Sequence, residues 1–389
     1  MTGNQKPHRI VVIGGGYAGA LAANHVRMRD DVDVTLVNPR PKFVERIRLH
    51  QHTVGNYDAT VDYGSLLGDD VRLVVDTATR IDGAARTVTL ASGDILDYDY
   101  LIYAVGSTGN VPTSVPGAAE FAYPLAELEQ AERLRAHLQD IPLSAPLVVV
   151  GAGLTGIEAA AEFAEAGRNV TLIGSKLGPS LSAPGRRSVA KRLAELGVTV
   201  IEANVSGVTA DRVLLPNQPA VPSAVTVWTA GFGTPELATA SGLRTDGIGR
   251  LLTDETLTSI DDSRIVATGD AAAPSGQPLR MSCQATGALT LTAVGTVLSR
   301  IAGTEPAVLD PVFVGSCISL GRRTATIQIA RKDDIPTNYY IGGRVAAKLK
   351  EAICKGTLWG IRRAAGKPSA VLVMTGGKRA ERLAEAVTA

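Results

Sequence analysis

The pattern Gly-x-Gly-x-x-Gly occurs twice in this chain, each time directly after a short apolar run. In such a turn the first glycine makes the tight bend, the second lets the backbone approach a pyrophosphate, and the third lets a helix pack on the strand. An Ala-rich segment follows each copy, so strand, turn and helix are predicted twice, which argues against the alternative of two glycine-rich turns in ordinary α/β units. The glycines of the two copies are Gly14, Gly16 and Gly19, and Gly151, Gly153 and Gly156.

Two such turns predict two dinucleotide sites, one for a tightly held flavin and one for an exchanging nicotinamide that passes hydride to it. After each turn, the next strand usually ends in an acid that holds the ribose hydroxyls. Here the first position is Asn38, which we expect to hydrogen-bond the ribose, and the second is Gly174. Because Lys176, Arg186 and Arg187 follow and would suit a 2′-phosphate, we predict that both NADH and NADPH are accepted.

Three later turns fit the same plan. Gly106 and Gly231 each follow a predicted strand and would return the chain from one nucleotide domain to the other. Asp270 lies on a predicted turn between a strand and a helix, where its carboxylate would accept hydrogen bonds from ribityl hydroxyls of a flavin. The alternative is that Asp270 only caps the helix, since Asp is a common N-cap.

On these residues the chain resembles the two-dinucleotide flavoproteins of the pyridine nucleotide-disulphide oxidoreductase type, and within them the type II NADH dehydrogenases and apoptosis-inducing-factor-like quinone reductases. The resemblance covers residues 9 to 300 and implies an α/β fold with two Rossmann-like domains. It implies an NAD(P)H domain, 113–240, inserted into an FAD domain, 1–112 and 241–305, and a small α+β C-terminal domain, 306–389.

The resemblance also implies roles for single residues. The first turn would bind the FAD pyrophosphate, Ala78 the adenine through its backbone, and Asp270 the flavin. The second turn would bind NAD(P)H, with the carboxylate of Glu158 beside the nicotinamide. Arg48 resembles a basic residue next to the flavin ring, where a cation stabilises the anionic reduced flavin. The alternatives are that Arg48 is a solvated charge or that Arg46 takes its place.

The chain departs from the disulfide reductases of this group, which carry a redox-active cysteine pair soon after the first turn. Its three cysteines are far apart in sequence, and neither they nor the five histidines have metal-ligand spacing. The spacing excludes a dithiol relay, so the flavin is expected to pass electrons directly to its acceptor. Gln284 resembles part of a quinone-facing helix start, although Ala288 stands where a second Gln is usual, and the alternative is an ordinary helix-start residue.

Residues 341–366 read as a basic amphipathic helix, or as two helices broken near Gly356. Ile341, Val345, Leu349 and Ile353 are expected to share one face with Trp359. This pattern suits a helix lying on an anionic membrane, and the alternatives are docking on its own domain or on a partner subunit.

Composition narrows the function further. The net charge of +1 and the 4% aromatic content argue against nucleic-acid binding. The sequence shows neither a signal peptide nor an uninterrupted apolar run long enough to span a membrane, so a cytoplasmic location is expected, with contact at the inner face of the cell membrane as an option.

We therefore predict an FAD-dependent NAD(P)H:acceptor oxidoreductase that most readily reduces a quinone. The alternatives are a soluble reductase of the ferredoxin or rubredoxin type, and a slow-turnover flavoprotein that senses NAD(P)H and binds partners. The physiological acceptor and the oligomeric state stay open.

Overall fold

Two five-stranded parallel sheets carry the two glycine turns, as a computed structural model describing residues 6–368 and 375–388 shows. Residues 1–5 of the predicted FAD domain, and residues 369–374 and 389 of the predicted C-terminal domain, lie outside this range. The central strands of both sheets are buried, continuous apolar runs, which is typical of parallel sheets, whereas the edge strands Val71–Val75 and Thr199–Glu202 are partly exposed. The predicted α/β class is confirmed.

The first sheet draws its strands from three separate parts of the chain. Its central strand, His8–Ile13, leads into the first glycine turn and the helix Tyr17–Val26. In spatial order its strands are Ile265–Ala267, Tyr100–Tyr103, His8–Ile13, Val32–Asn38 and Val71–Val75.

The second sheet lies between two of these parts in sequence. Its central strand, Pro146–Val150, leads into the second glycine turn and the helix Leu154–Glu165. In spatial order its strands are Ala122–Pro124, Val225–Trp228, Pro146–Val150, Asn169–Gly174 and Thr199–Glu202.

The chain crosses between the two sheets at a short antiparallel pair, in which Thr108–Gly109 hydrogen-bonds with Phe232–Gly233. Gly231 precedes this pair with a φ of +84°, a backbone conformation that glycine adopts without strain. Two small antiparallel sheets cover the edges: Ala78–Asp82, Thr87–Leu90 and Ile95–Asp97 in one, and Gly207–Val208, Arg212–Leu214 and Val221–Pro222 in the other.

Shorter elements complete the two nucleotide domains. The remaining strand pairs are Lys42–Val44 with Thr60–Asp62 and Leu251–Thr253 with Ala272–Pro274. The remaining helices and helical turns are Arg46–Arg48, Leu49–Thr53, Tyr63–Ser65, Ala118–Phe121, Leu128–Asp140, Ala183–Glu195, Leu237–Ala240 and Gly269–Ala271.

The helix Cys283–Ala302 packs against Tyr17–Val26 in the core of the first domain. Its length and composition alone would allow this helix to cross a membrane, although its apolar residues do not form one uninterrupted run. Ala293 and Val297 are fully buried, and the Thr290 hydroxyl accepts a hydrogen bond from Thr268 of the first sheet at 3.1 Å. These contacts make it a core helix.

The C-terminal segment forms a three-stranded antiparallel sheet and a long helix, with the helix Arg379–Thr388 after it. The strands are Gly315–Ser319, Ala325–Ala330 and Pro336–Gly342, and each pairs antiparallel with the next. The long helix, Gly343–Gly366, begins after Ile341 and continues through Gly356, so the prediction of one helix is confirmed and the alternative of two helices is wrong. Cys354 and Leu358, on either side of Gly356, are buried against the rest of the protein. Their packing keeps the helix continuous there.

Candidate active site

The first glycine turn is built as its spacing predicts. Gly14 has a φ of +100°, and a Cβ there would overlap the carbonyl oxygen of Ala104. A Cβ on Gly19 would overlap the carbonyl oxygen of Gly14, so this glycine lets the helix pack closely against the strand. A Cβ on Gly16 would meet no protein atom within 4 Å. The space above Gly16 is therefore free for a ligand.

A cavity of ≈ 360 Å³ opens over this turn. Glycine and alanine of the first turn and of residues 104–106 form part of its lining, where a ligand can approach the backbone closely. Tyr17 is also at its wall; its hydroxyl is buried and has no hydrogen-bond partner among the described residues. The predicted site residues that line the cavity are Gly14, Gly16, Asn38, Ala78, Gly106 and Asp270.

Asn38 contacts the turn itself. Its Oδ1 accepts a hydrogen bond from the Gly15 N–H at 2.9 Å, and its Nδ2 donates to the Arg40 carbonyl at 2.8 Å. The Tyr63 hydroxyl donates to the Gly15 carbonyl oxygen at 2.7 Å. Asn38 thus fixes the glycine loop, and its contact with a ribose stays a prediction that relies on the second lone pair of Oδ1.

Asp270 faces the cavity together with Ser107. The Ser107 hydroxyl donates to Oδ2 of Asp270 at 2.7 Å. Asp270 lies in the helical turn Gly269–Ala271, and a strand rather than a helix follows directly, so the predicted strand–turn–helix context is wrong at this point. The cap-only alternative is wrong too, because its side chain bonds Ser107 and caps no helix.

Arg46, and not Arg48, lines this cavity. Nη1 of Arg46 donates to the carbonyl oxygen of Ser107 at 2.7 Å. Both arginines lie in the single 3₁₀ turn Arg46–Arg48. Side chains two positions apart in such a turn point in different directions. Of these two arginines, Arg46 is therefore the one at the cavity wall, where Arg40 and Lys42 also lie.

Arg48 points away into the protein. Its side chain is 1% exposed, and its guanidinium contacts Glu351 at 3.1 Å and Glu45 at 3.5 Å. The alternative of a solvated charge is wrong, because this arginine is fully buried and paired. Its predicted place beside a flavin does not match the cavity lining.

The second glycine turn has the same geometry as the first, but Ala152 stands where the first turn has Gly15. Gly151 has a φ of +113°, a Cβ on Gly156 would overlap Gly151, and the space above Gly153 is open. A Cβ on Gly174 would lie 2.7 Å from the Cβ of Ala152. The first turn has Gly15 at the position of Ala152. Because Gly15 has no side chain, the side chain of Asn38 occupies the space that the Ala152 methyl group fills in the second turn. The Ala152 methyl group therefore leaves no room for a ribose-binding acid at the end of this strand.

Glu158 is held by the C-terminal domain. Its Oε1 accepts a hydrogen bond from the Ser319 N–H at 2.8 Å and forms an ion pair with Nζ of Lys350. Nζ also lies 3.4 Å from the Cys317 carbonyl oxygen. Burial, together with the nearby charge of Arg48, lowers the pKa of Lys350 to about 8. Nothing in the sequence indicated Lys350, because it lies far along the chain from Glu158.

Gln284 contacts the C-terminal sheet. With its amide oriented to suit its neighbours, it donates to the Gly315 carbonyl oxygen at 3.2 Å and accepts from the Val314 N–H at 3.0 Å. Thr286, one half-turn later, lines the cavity of the first turn. Gln284 therefore joins the cavity-forming helix to the C-terminal domain.

All three cysteines are free thiols; Cys354 is buried, and Cys283 and Cys317 are partly exposed. Burial raises the pKa of Cys283 to about 12 and that of Cys317 to about 11. Both thiols stay protonated at neutral pH, and a protonated thiol is a poor nucleophile. This agrees with the absence of a dithiol relay from the predicted chemistry.

We expect the Glu158–Lys350 pair to stabilise the docking of the C-terminal helix. Lys350→Met leaves a buried carboxylate unpaired, which should cost about 3 kcal/mol and lower the melting temperature clearly. The double variant Lys350→Met/Glu158→Leu removes both charges and should melt close to the wild type. Equal melting temperatures for the single and double variants would show that the two residues do not interact.

Comparison with known proteins agrees with this geometry. An NADH dehydrogenase-like protein of Mycobacterium tuberculosis is 35% identical over 304 residues, which cover 68% of this chain and 73% of the relative. The type II NADH:quinone oxidoreductase of the same organism is 27% identical over 378 residues, covering 83% and 80%. The sulfide:quinone oxidoreductase structure from Aquifex aeolicus superposes with a TM-score of 0.78 at 22% identity, covering 93% of each chain, and shares the fold.

The family match itself covers residues 8–294, which contain both glycine turns and Asp270. The predicted cofactor FAD, with NADH or NADPH as co-substrate, is confirmed at the level of the family. This chain belongs to the pyridine nucleotide-disulphide oxidoreductase family.

Proposed function

We propose that this protein is an FAD-dependent NAD(P)H:quinone oxidoreductase. The observation that carries the proposal is the pair of glycine turns, each with free space above its second glycine, in a fold that raises the pKa of all three cysteine thiols. Such a chain would have two dinucleotide-binding sites and no thiol relay between the flavin and its acceptor. The reduced flavin must then give its electrons directly to the acceptor.

The residues around the first cavity are suited to hold FAD. The N–H groups at the start of Tyr17–Val26 would bind the pyrophosphate, and the backbone of Ala78 would face the adenine. The Ser107–Asp270 pair would accept and donate hydrogen bonds to the ribityl hydroxyls. Arg46 would place a positive charge near the ring system, which favours an anionic reduced state. When bound, FAD supplies hydride acceptance and two-electron transfer.

The second turn would hold the NAD(P)H pyrophosphate and orient the nicotinamide toward the first domain. Glu158 lies on the helix that this turn begins, and its ion pair with Lys350 holds the carboxylate in one position. Gln284 would act as a positioning residue, because its amide is bonded to residues 314 and 315 rather than free for an acceptor.

The proposal is tested by steady-state oxidation of NADH with menadione as acceptor, using the FAD-loaded protein. Rapid turnover with menadione supports it. Turnover only with an iron–sulfur protein would instead favour the ferredoxin-type alternative, and a long-lived reduced complex that neither acceptor oxidises would favour the sensing alternative.

The second turn predicts that both nicotinamide cofactors are used. No acid stands at Gly174 to repel a 2′-phosphate, and Lys176 is exposed nearby. We expect kcat/KM for NADH and NADPH to differ by less than about tenfold, or about 1.4 kcal/mol. Side-by-side kinetics with a large preference for NADH would contradict this.

We also propose that the helix Gly343–Gly366 lies on an anionic membrane. Its inner face is buried against its own domain through Ala346, Cys354, Leu358 and Ile361. The predicted apolar face is instead solvent-exposed, with Val345 at 68% and Trp359 at 60%. Exposed cations border this face at Arg344, Lys348, Lys355 and Arg362.

Cosedimentation with vesicles of phosphatidylcholine and phosphatidylglycerol tests this contact. Val345→Glu/Leu349→Glu should weaken binding on the order of a hundredfold, because two aliphatic side chains no longer enter the bilayer and two negative charges are added. High salt should weaken wild-type binding as well. Ile95→Glu, equally exposed but on a distant sheet, is the control and should bind as the wild type does.

A further inference from the structure

A second cavity, of ≈ 550 Å³, shares no lining residue with the cavity over the first glycine turn and borders the Glu158–Lys350 pair. It forms where the short helix Leu49–Thr53 and the residue before it meet the hairpin turn 319–325 and the helix Gly343–Gly366. The side chains around it are strongly biased in charge. Six are cationic and only Glu351 is acidic; the cations are Arg48, Arg322, Arg323, Arg344, Lys348 and Lys350.

The two innermost cations are already neutralised. Arg48 is paired with Glu351, and Lys350 with Glu158. Both lie near His50, whose pKa falls well below its usual value because it is buried and because Lys350, Arg322 and Arg48 face it. The inner end of the cavity is therefore lined by two ion pairs.

The outer cations have no such neutralisation. Within residues 6–368 and 375–388, no carboxylate lies within ion-pairing distance of the side chains of Arg322, Arg323, Arg344 or Lys348. Four unpaired cations around one opening repel one another and destabilise the empty cavity electrostatically. A ligand with more than one negative charge would remove that repulsion.

We infer that this cavity binds a phosphate group. Arginine presents a planar fork of N–H donors that matches the oxygens of phosphate, and three arginines stand at the opening. The volume accommodates a phosphate ester with a small organic part. This site goes beyond the proposed quinone reduction and does not depend on it.

Two sources offer the same chemistry. One is a soluble phosphate ester. The other is a phospholipid headgroup, because Arg344 and Lys348 stand between the cavity and the exposed apolar face of Val345 and Leu349 on the same helix. Phosphate recognition is the claim, and the source is decided by experiment.

The soluble source is tested by calorimetric titration of the FAD-loaded protein with inorganic phosphate. We expect one saturable site per chain, with affinity lowered at least about tenfold by Arg323→Gln/Arg344→Gln, because two charge-assisted contacts are lost. Both side chains are exposed, so the fold should be unaffected. Arg80→Gln removes an exposed cation on a distant strand and should change nothing.

The lipid source is tested with vesicles that contain either phosphatidic acid, with its terminal phosphate, or phosphatidylglycerol at matched surface charge. A preference for phosphatidic acid that the Arg323→Gln/Arg344→Gln variant loses supports the site and identifies a headgroup as its occupant. Saturable binding of inorganic phosphate without this preference supports the site with a soluble occupant. If the wild type shows neither, or if the variant equals the wild type in both assays, the inference is overturned.

Discussion

Gly16→Val should yield a folded but colourless protein. A Cβ at this position meets no protein atom, so the apoprotein has room for the valine side chain. The same space is where the FAD pyrophosphate would lie, and the side chain would keep it from the helix N–H groups. Losing two charge-assisted hydrogen bonds corresponds to about 4 kcal/mol, so FAD affinity should fall on the order of a thousandfold.

The measurement is the flavin absorbance of the purified variant, followed by titration with FAD. Gly16 is the N-cap of Tyr17–Val26, where valine is unfavourable by about 1 kcal/mol, so the melting temperature of the apoprotein should fall only slightly. A yellow Gly16→Val protein with wild-type FAD affinity would remove the first turn from the flavin site.

Gly153→Val should produce the complementary defect. Its Cβ also enters open space, at the N-cap of Leu154–Glu165. The protein should bind FAD and be yellow, because the first cavity is unchanged, but NADH should no longer reduce it at a useful rate. We expect kcat/KM for NADH to fall on the order of a thousandfold for the same reason as in the first turn.

Each of the two variants is the control for the other. Dithionite reduces free or bound flavin without NADH, so Gly153→Val should still bleach with dithionite. If Gly153→Val lost its flavin while Gly16→Val kept it, the assignment of the two turns would be reversed.

The sequence was sufficient for the two Rossmann-like domains because their signals are local. Each glycine has a steric reason that can be read from its spacing, and the apolar strands before Gly14 and Gly151 lie where they were predicted. The four-segment division of the chain stays a prediction, as do the ligand contacts of the individual site residues.

Contacts between distant parts of the chain were not predictable. Arg46 and Arg48 are equivalent by composition, and only the direction of one helical turn separates the cavity-lining residue from the buried one. Glu158 and Lys350 gave no sequence signal as partners, because their pairing depends on how the C-terminal helix docks.

The C-terminal helix shows what periodicity leaves open. The aliphatic residues at 345, 349 and 353 were expected to share one face, but their spacing did not say whether that face meets a membrane, a partner or the chain's own domain. In the structure this face is exposed, and the small or medium residues Ala346, Cys354 and Ile361 pack inward. Small residues let this helix approach Tyr17–Val26 closely, and that leaves the bulky stripe in solvent.

The most direct test of this account is the visible spectrum of the purified protein under anaerobic conditions, recorded before NADH, after NADH and after menadione. We predict flavin bands that bleach with NADH and return with the quinone. A colourless protein that does not take up added FAD, or a yellow one that NADH leaves unchanged, would contradict it.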